Sequence, residues 1–396
     1  MNVLRVIASM NPESGGPVEG IMNSIAVLKA QGCNQEIVTL DSPYEPWVKT
    51  AELPLHAMGI RNPRYRAWKS RLPWLRYGYT PHFVPWLKEN AKFYDAVIVH
   101  GLWNYTALGA WRALAKSETP YFVYTHGMLD PYFNRAHPLK AAVKQVFWWF
   151  SEGRLVANAR TVFFTTEEER QLARHSFWPF RCRERVISYG TRDIEGDAEA
   201  QIAAFRSAVP QLAGRRFVLF LSRIHPKKGC DLLIQAFAKV AGQAPMLDLV
   251  MAGPDASGWT KDLKTMAAEL GVQDRIHWPG MLKGDLKWGA FRASEAFILP
   301  SHQENFGIVI AEAMACGKPV LTTRKVNTWR EVQDSGAGLI DNDDLAGITR
   351  LLEQFLALPE DAKQSMGQRA RQGFVEKFDI GTMAPQLIQA FAGKGA

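Results

Sequence analysis

The chain has 396 residues, of which 47% are hydrophobic, and this length exceeds what one hydrophobic core usually holds, so two domains are expected. The composition is that of a large soluble enzyme with a net charge of +8. Its cysteines lie far apart without a C-x-x-C pair, which argues against a zinc site or a disulfide framework and favours a reducing cytosol. These cysteines are Cys33, Cys182, Cys230 and Cys316.

The N-terminus predicts a buried first strand rather than a signal peptide. Its short apolar run, residues 1–9, contains Arg5 and lacks a cleavage-site pattern. The most apolar long window, residues 146–164, is interrupted by Glu152, Arg154 and Arg160. It falls short of an uninterrupted bilayer span, so no transmembrane helix is predicted.

Short apolar runs alternate with helical patterns along the chain, which is typical of buried parallel strands joined by crossover helices. The runs of the first half are Val3 to Ala8, Ile37 to Leu40, Ala96 to Val99, Tyr121 to Tyr124 and Val162 to Thr165. Those of the second half are Phe217 to Leu221, Leu247 to Met251, Arg275 to Trp278, Ala296 to Leu299 and Pro319 to Thr322. Two doubly wound α/β domains are therefore predicted, with a boundary after residues 186–193.

A basic, aromatic segment spans residues 61–77, with six cations, prolines and no acidic residue. Trp and Tyr favour the lipid headgroup region and Arg and Lys meet anionic lipid, so the segment is typical of a membrane surface contact. A second cluster, residues 140–150, could extend it. The alternative is a solvated basic face over core aromatics, and nucleic acid is the weaker candidate because no nucleic-acid-binding motif accompanies the patch.

Two histidines lie where strands of the first half are predicted to end. His100 follows the run Ala96 to Val99, and His126 follows the run Tyr121 to Tyr124 and precedes Gly127. Ligands of such sheets bind at the carboxyl ends of the strands, so both are candidates for a ligand site. The alternative is a structural histidine with satisfied hydrogen bonds.

A basic loop joins a strand to a helix in the second half. The strand Phe217 to Leu221 is followed by Arg223 and Lys228, and a helical pattern begins after Gly229. A planar guanidinium fork and a compact ammonium together suit a diphosphate. Taken alone, the loop could equally be a solvated basic turn.

Two carboxylates eight positions apart, Glu304 and Glu312, bracket a glycine and an apolar run. Gly317 and Pro319 end this run, so a short helix is predicted to begin near Phe306 or Gly307. The N-terminus of such a helix is an anion site, and carboxylates accept hydrogen bonds from sugar or ribose hydroxyls. The alternative is an ordinary surface pair of glutamates.

The basic loop with Arg223 and Lys228, followed by the glutamate pair Glu304 and Glu312, resembles the retaining glycosyltransferases of the GT-B class, specifically glycosyltransferase family 4. In that family an Arg and a Lys five residues later hold the donor diphosphate, and two glutamates eight positions apart hold the donor. The resemblance covers nearly the whole chain. Other segments similar to the family are residues 7–17 with a glycine loop, 124–127, 248–254 and 277–280.

The resemblance implies an α/β fold of the GT-B class, in which two Rossmann-like doubly wound domains face each other across a cleft. It implies an N-terminal acceptor-binding domain over residues 1–192 and a C-terminal domain for the nucleotide-sugar donor over residues 193–375. A last helix, within residues 376–396, is expected to pack back on the first domain. The active site is expected in the cleft, at the carboxyl ends of the strands.

The resemblance also implies roles for single residues. Fixed cations stabilise the charge that a leaving nucleotide diphosphate gains in the transition state, and Glu304 suits the hydroxyls of the transferred sugar. The implied catalytic residues are His126, Arg223, Lys228 and Glu304. The implied donor-binding residues are Gly15, Gly16, Gly280, Met281, Asn305, Phe306, Gly307, Ile308, Val309 and Glu312. His100 and Trp103 are expected to line the acceptor pocket.

No cofactor or metal is expected besides the nucleotide-sugar co-substrate, because no D-x-D carboxylate pair occurs where a metal would be needed. One stretch departs from the family pattern. Many members carry a glycine pair where this chain has residues 324–331, which are bulky and basic. This departure leaves the transferred sugar open.

The sequence thus predicts a retaining hexosyltransferase that moves a sugar from a UDP- or GDP-sugar to a hydroxyl of a glycan or polyprenyl-linked acceptor. Exopolysaccharide or cell-surface glycan synthesis is the expected context, in the cytoplasm at the inner face of an anionic membrane, with no nucleic acid partner. Retention follows from the resemblance alone. Two alternatives stay open: a nucleotide-sugar epimerase of the same fold, which acts on the donor alone, and a non-catalytic nucleotide-binding module that docks to membranes.

Overall fold

The computed structural model describes residues 1–12, 16–51, 53–62, 72, 76–188 and 190–393. Contacts divide the chain into two compact units, one formed by Met1–Gly190 with Ile380–Ala396 and the other by Thr191–Asp379. The sequence-based limits, after residues 192 and 375, lie a few residues from these. Most of the basic segment 61–77 lies outside the described residues.

The first unit contains a seven-stranded sheet in which every pair of neighbouring strands is parallel. Its strands are β1 (Asn2–Ile7), β2 (Asn34–Thr39), β3 (Leu55–Ala57), β4 (Ala96–His100), β5 (Tyr121–Tyr124), β6 (Thr161–Phe164) and β7 (Glu184–Val186). Their order across the sheet is β3-β2-β1-β4-β5-β6-β7. The direction of winding therefore reverses between β1 and β4.

Helices cover both faces of this sheet, and β4 and β5 are consequently buried along their whole length. The helices are α1 (Gly16–Ala30), α2 (Pro46–Lys49), α3 (Phe83–Asn90), α4 (Tyr105–Leu114), α5 (Pro131–Ala136), α6 (Pro138–Phe147), α7 (Gly153–Asn158) and α8 (Glu167–Ala173). A π-helical turn, Trp148–Glu152, joins α6 to α7.

The second unit contains a six-stranded parallel sheet in the order β10-β9-β8-β11-β12-β13. Its strands are β8 (Arg216–Leu221), β9 (Leu247–Ala252), β10 (Ile276–Gly280), β11 (Ala296–Leu299), β12 (Val320–Thr323) and β13 (Gly338–Asp341). Its helices are α9 (Ala198–Ala208), α10 (Cys230–Val240), α11 (Thr260–Glu269), α12 (Gly284–Ala293), α13 (Ile308–Ala315), α14 (Trp329–Asp334), α15 (Leu345–Ala357) and α16 (Glu360–Lys377). Here the winding reverses between β8 and β11.

The last helix, α17 (Ile380–Phe391), belongs to the first unit. Its apolar residues join a core cluster with β1, β4, β5 and β6. Phe391 lies edge-on to Phe122, with ring centroids 5.3 Å apart, and also contacts Phe163. The end of the chain thus closes the core of the unit that its beginning forms.

Three strands are absent from the sequence-based prediction, namely β3, β7 and β13. The first two lie at the edges of the seven-stranded sheet and the third at an edge of the six-stranded sheet. Their residues are only partly buried. Edge strands lack the continuous apolar runs that reveal a central parallel strand, so the pattern did not distinguish them from loops.

Truncation of Phe391 should destabilise the first unit. Phe391 is 3% exposed, so Phe391→Ala is expected to lower the free energy of unfolding by about 3 kcal/mol through lost burial and the cavity left behind. Urea titrations followed by circular dichroism would measure this change. Phe93, which is 66% exposed, provides the control, because Phe93→Ala should change stability by less than about 0.5 kcal/mol. Equal effects of the two substitutions would contradict the packing of α17.

Candidate functional site

The loop after β8 carries the two predicted cations in different environments. Arg223 is exposed, whereas Lys228 is only 6% exposed. Lys228 ends a 3₁₀ turn, Pro226–Lys228, and Gly229 follows with φ of 66°. A side chain at Gly229 would collide with the carbonyl oxygen of Pro300, so the turn lies directly against the loop that follows β11.

The loop after β11 carries Glu304 and is fixed by a neighbouring loop. The Glu304 N–H donates to the Lys325 carbonyl at 3.0 Å, and the Asn327 N–H donates to the Glu304 carbonyl at 3.0 Å. These bonds form a short parallel bridge between Glu304 and Val326. Residues 324–331, the stretch that departs from the family pattern, therefore hold the backbone of Glu304 in place. Two of these residues, Val326 and Asn327, are buried.

An ion pair joins the two loops. The Lys228 ammonium donates to Oε2 of Glu304, and the side chains are 7% and 26% exposed. Glu304 Oε1 accepts from the Asn305 N–H at 3.1 Å. An ammonium has three donors and no acceptor, so Lys228 can hold Glu304 and still donate to an anionic ligand. β8 and β11 are neighbours where the winding reverses, which is the usual ligand position in such sheets.

Helix α13 begins beside this pair. Gly307 is its N-cap with φ and ψ of 64°, and no side chain caps the helix. The N–H groups of its first residues, Ile308 and Val309, therefore have no capping side chain and remain available to an anion. A Cβ at Gly307 would lie 3.2 Å from Cγ of Glu304, so glycine allows the helix to begin this close to the carboxylate.

Glu312 lies inside α13 and is 4% exposed. Its Oε1 accepts a hydrogen bond from Lys287 Nζ at 2.7 Å. Lys287 comes from α12, and its ammonium lies 4.3 Å from the ring centroid of Trp288. Glu312 is thus a partly neutralised carboxylate held by a neighbouring helix.

The remaining predicted donor residues of this unit lie on the same loops. Asn305 Oδ1 accepts from Asn327 Nδ2 at 3.3 Å, and Phe306 lies edge-on to Phe378 at 5.7 Å. Gly280 ends β10 with φ of 74°, and its carbonyl accepts from the Gly253 N–H. The next residue, Met281, is 58% exposed.

In the first unit, His100 and His126 lie at the carboxyl ends of β4 and β5 and contact each other. His100 Nδ1 is 3.2 Å from His126 Nε2, and the rings stack with centroids 5.4 Å apart. Arg5 Nη1 is 3.3 Å from His100 Nε2. Arginine only donates, so His100 accepts at Nε2 and donates from Nδ1 to His126, which places the proton of His126 on its own Nδ1.

The two histidines are neutral at ordinary pH. Burial and, to a smaller extent, the nearby Arg5 cation together lower the pKa of His126 to about 3. Burial, Arg5 and His126 likewise hold the pKa of His100 well below its usual value. His126 also has φ of 53°, a conformation that is uncommon for residues other than glycine and typical of functional sites.

Other predicted residues of the first unit are less informative. Trp103, with φ of 65°, donates from Nε1 to the Met128 carbonyl at 3.0 Å, and the Lys144 ammonium lies 4.5 Å from its ring centroid. Gly16 is the first residue of α1, and a side chain there would meet open space. Gly15 lies outside the described residues.

Comparisons with known proteins agree with this geometry. The family model "Glycosyl transferases group 1" matches residues 202–373, and the model "Glycosyl transferase 4-like domain" matches residues 15–190. Each match covers most of one unit. The chain belongs to glycosyltransferase family 4.

Relatives of this family 4 chain include a D-inositol 3-phosphate glycosyltransferase of Nocardia farcinica, 31% identical over 267 residues. That alignment covers 64% of the chain and 57% of the relative, so it spans little more than half of the relative's length. Among solved structures, HepE of Anabaena in complex with UDP and glucose has a TM-score of 0.72 at 19% identity, over 99% of this chain and 100% of HepE. This likeness confirms the fold as α/β with two Rossmann-like domains, the GT-B class.

Two residues that support the site in the family 4 chain were not found from the sequence. Glu169, 3% exposed, accepts from the Gly127 N–H at 2.5 Å and from the Thr125 hydroxyl at 2.7 Å, and it also holds Thr165. It thereby fixes the turn that carries His126. Lys287 is the other. The three acidic residues in the first turn of α8, Glu167, Glu168 and Glu169, were the available signal for Glu169, whereas nothing marked Lys287 among the other lysines.

Protonation of the histidine pair should destabilise the first unit. An unfolded histidine binds a proton below about pH 6.5, while His126 stays neutral down to about pH 3, so stability present above pH 6.5 is lost as pH falls. The loss attributable to His126 is expected to reach about 1.4 kcal/mol per pH unit. Urea titrations of wild type and His126→Gln from about pH 4 to pH 7 would measure the difference in slope.

The exposed His175 provides the control for this experiment. Replacement by Gln at His175 should leave the wild-type slope unchanged. If His126→Gln also left it unchanged, His126 would titrate normally in the folded protein, and the buried neutral pair would be wrong.

Proposed function

We propose that this chain is a retaining hexosyltransferase that transfers a sugar from a nucleotide diphosphate sugar, UDP- or GDP-linked, to a hydroxyl of a glycan or lipid-linked acceptor. The observation that carries the proposal is the Lys228–Glu304 pair beside the N-terminus of α13, at the winding reversal of the second sheet. It combines donors for a diphosphate with an acceptor for sugar hydroxyls.

In the transfer, the bond between the anomeric carbon and the diphosphate oxygen breaks, and the nucleotide diphosphate leaves with the electron pair. The acceptor hydroxyl oxygen bonds to the anomeric carbon, and its proton passes to the leaving diphosphate oxygen. The negative charge of the leaving group grows as its bond breaks, so donors that are already fixed stabilise the transition state more than the ground state. Lys228, Arg223 and the first N–H groups of α13 supply these donors.

The carboxylates have binding roles in this proposal. Glu304 accepts from hydroxyls of the transferred sugar, and its position is fixed by Lys228 and by the bridge to Val326. Glu312 accepts from ribose hydroxyls, with Lys287 holding one of its oxygens. Gly280 and the exposed Met281 lie at the end of β10, where backbone groups and a thioether can contact the base.

His126 and His100 serve as neutral hydrogen-bonding groups rather than as cations, because burial and Arg5 disfavour their protonated forms. A neutral imidazole can form a hydrogen bond with a sugar hydroxyl, because it does not attract a carboxylate that would occupy the same position. The ring of His126 is held by His100, and its turn is held by Glu169. This fixed geometry supports a contact to the transferred sugar or the acceptor.

The relatives support a choice of nucleotide and of acceptor class. HepE binds UDP and glucose in one structure and UDP-glucose in another, which favours UDP over GDP as the nucleotide. The D-inositol 3-phosphate glycosyltransferases favour an acceptor with several hydroxyls and a phosphate. Glycan assembly at a cell surface remains the proposed context. No metal is required in this proposal, because the fixed cations take its electrostatic role, and transfer should persist in EDTA.

Peripheral association with the cytoplasmic face of an anionic membrane is the second part of the proposal. None of the residues of α6 is buried, although the helix is amphipathic. Leu139 is 86% exposed, and Phe150 and Trp178 are 63% and 75% exposed in the same unit. Lysines at 140 and 144 accompany these side chains. Apolar side chains beside cations suit a headgroup layer with anionic lipid.

The described part of the chain contains no helix that is long and apolar enough to cross a membrane.

Nucleotide binding tests the donor site. UDP is expected to raise the melting temperature of the wild type by mass action, more than GDP or ADP does. Arg223→Ala and Lys228→Ala should each weaken UDP binding about tenfold or more in calorimetry, because each removes a charged hydrogen bond. Lys261→Ala, at an exposed position of α11, is the control and should bind as the wild type does.

If none of the three nucleotides binds, the donor assignment is overturned. A non-catalytic module that docks to membranes is then favoured. Turnover distinguishes the remaining alternatives. A glycosyltransferase releases UDP from UDP-sugar at a rate that depends on the acceptor, whereas an epimerase converts the donor alone. A binding module shows neither reaction.

Membrane association should depend on both charge and apolar contact. Purified protein is expected to sediment with phosphatidylglycerol vesicles at low salt but not with phosphatidylcholine vesicles. Leu139→Gln combined with Lys140→Glu should reduce this sedimentation, as should replacement of Arg64, Arg66 and Arg71 by Glu, three positions outside the described residues. Lys239→Glu, at an exposed position of α10, is the control. If both test variants sediment as the control does, this surface does not bind lipid.

A further inference from the structure

A pocket of about 470 Å³ lies in the first unit, apart from the histidine pair. Its wall includes Tyr77, Trp103 and one side of α6, and Glu152 from the π-helical turn also lines it. Glu152 is 0% exposed, so it lies at the closed end of the pocket. Single π-helical turns within α-helices are frequent at functional sites.

Glu152 lacks a partner that a buried carboxylate requires. Neither carboxylate oxygen meets a hydrogen-bond partner among the described residues. The hydroxyls of Tyr77 and Ser151 are likewise buried and meet no partner within hydrogen-bond geometry there, although Ser151 lies near both Tyr77 and Glu152. Buried polar groups are almost always hydrogen-bonded. A buried carboxylate without a partner lowers the stability of the folded protein by roughly several kcal/mol. Three such groups in one place indicate a ligand position.

The charges around the pocket suit an anionic group at its mouth. Lys144 lines the pocket with its ammonium over the Trp103 ring, and Lys140 lines it from the exposed side of α6. Burial and the neighbouring Lys140 cation lower the pKa of Lys144. Burial raises the pKa of the Glu152 carboxyl to about 7, against the opposing influence of its own N–H, the nearby Ser151 hydroxyl, the Trp103 N–H and the Lys144 cation. An anion beside the lysines would relieve their mutual repulsion.

The rim of the pocket is apolar. Val143 and Phe147 line it and are 58% and 45% exposed. Both belong to the unburied face of α6. The pocket therefore combines hydroxyl acceptors at its closed end, cations at its side and an apolar rim.

We infer that this pocket binds the acceptor headgroup, a hydroxylated ring that donates to Glu152 and carries a phosphate next to Lys140 and Lys144. This inference rests on the proposed glycosyl transfer. The ring stacks on apolar surface near Trp103, and its hydroxyls satisfy the oxygens that the protein leaves without partners. A phosphorylated polyol or sugar has this chemistry whether it is free in solution or attached to a lipid.

Binding of defined probes tests the inference. Calorimetry would use inositol 1-phosphate, glucose 1-phosphate and inorganic phosphate as soluble probes. Vesicle sedimentation would compare phosphatidylinositol with phosphatidylglycerol in phosphatidylcholine vesicles. Glu152→Gln and Lys144→Ala should each weaken at least one carbohydrate phosphate about tenfold or more. The controls are Glu118→Gln and Lys116→Ala, exposed positions of the same unit that should have no effect.

Each outcome has a defined meaning. Preference for the soluble probes indicates a free phosphorylated acceptor, and preference for phosphatidylinositol over phosphatidylglycerol vesicles indicates a lipid-linked one. The inference is overturned if no carbohydrate phosphate binds, if inorganic phosphate binds as well as every carbohydrate phosphate, or if both variants bind like the wild type.

Two further readouts separate this inference from a structural role and from the donor site. Glu152→Gln should raise the melting temperature of the ligand-free protein, because it removes a buried carboxylate without partners. A structural role would lower it. UDP binding should be the same in wild type, Glu152→Gln and Lys144→Ala. If the wild type binds carbohydrate phosphate but not UDP, the proposed function fails while the pocket stands.

Discussion

One partly buried ion pair connects two loops of the second unit, between Lys228 and Glu304, which are 76 residues apart in the chain. Removing charges from water is costly, so such a pair persists only where the surrounding backbone fixes both partners. Gly229 fits against Pro300 on one side, and the bridge to Val326 fixes the other. The start of α13 and the packing of the loop 324–328 follow from where Glu304 lies.

The first unit contains a buried cation, Arg5, that has no carboxylate among its described partners. Arg5 is 2% exposed, and its described partners, Gln35, Ser24 and His100, are neutral. Burial lowers its pKa to about 10. A cation without a carboxylate partner keeps the adjacent imidazoles neutral and sets their tautomers through directed hydrogen bonds. The arrangement is costly for stability. Glu152 shows the opposite case, a buried carboxylate without a cation in hydrogen-bond contact among the described residues.

Local patterns predicted most of the framework. Central strands such as β4 and β5 have continuous apolar runs because both of their faces are covered, and glycines at 307 and 317 mark the ends of α13. The edge strands β3, β7 and β13 were not predicted because they are only partly buried and lack a continuous apolar run. The likeness to family 4 predicted that Lys228 and Glu304 belong to one site, but it did not predict their contact. Glu169, Lys287 and Arg5 support the sites from other elements, and no local pattern links them to the residues they hold.

The sequence by itself determined the two α/β domains, the order of the motifs and the family, because the apolar period and the glycine positions reflect how each segment is locally covered. The tertiary structure decided which side chains meet. Contacts such as Lys228 with Glu304, Glu312 with Lys287 and Glu169 with the His126 turn depend on which strands and helices become neighbours. Charges that look alike in a sequence acquire different properties when one is exposed, as in Arg223, and another is buried, as in Lys228.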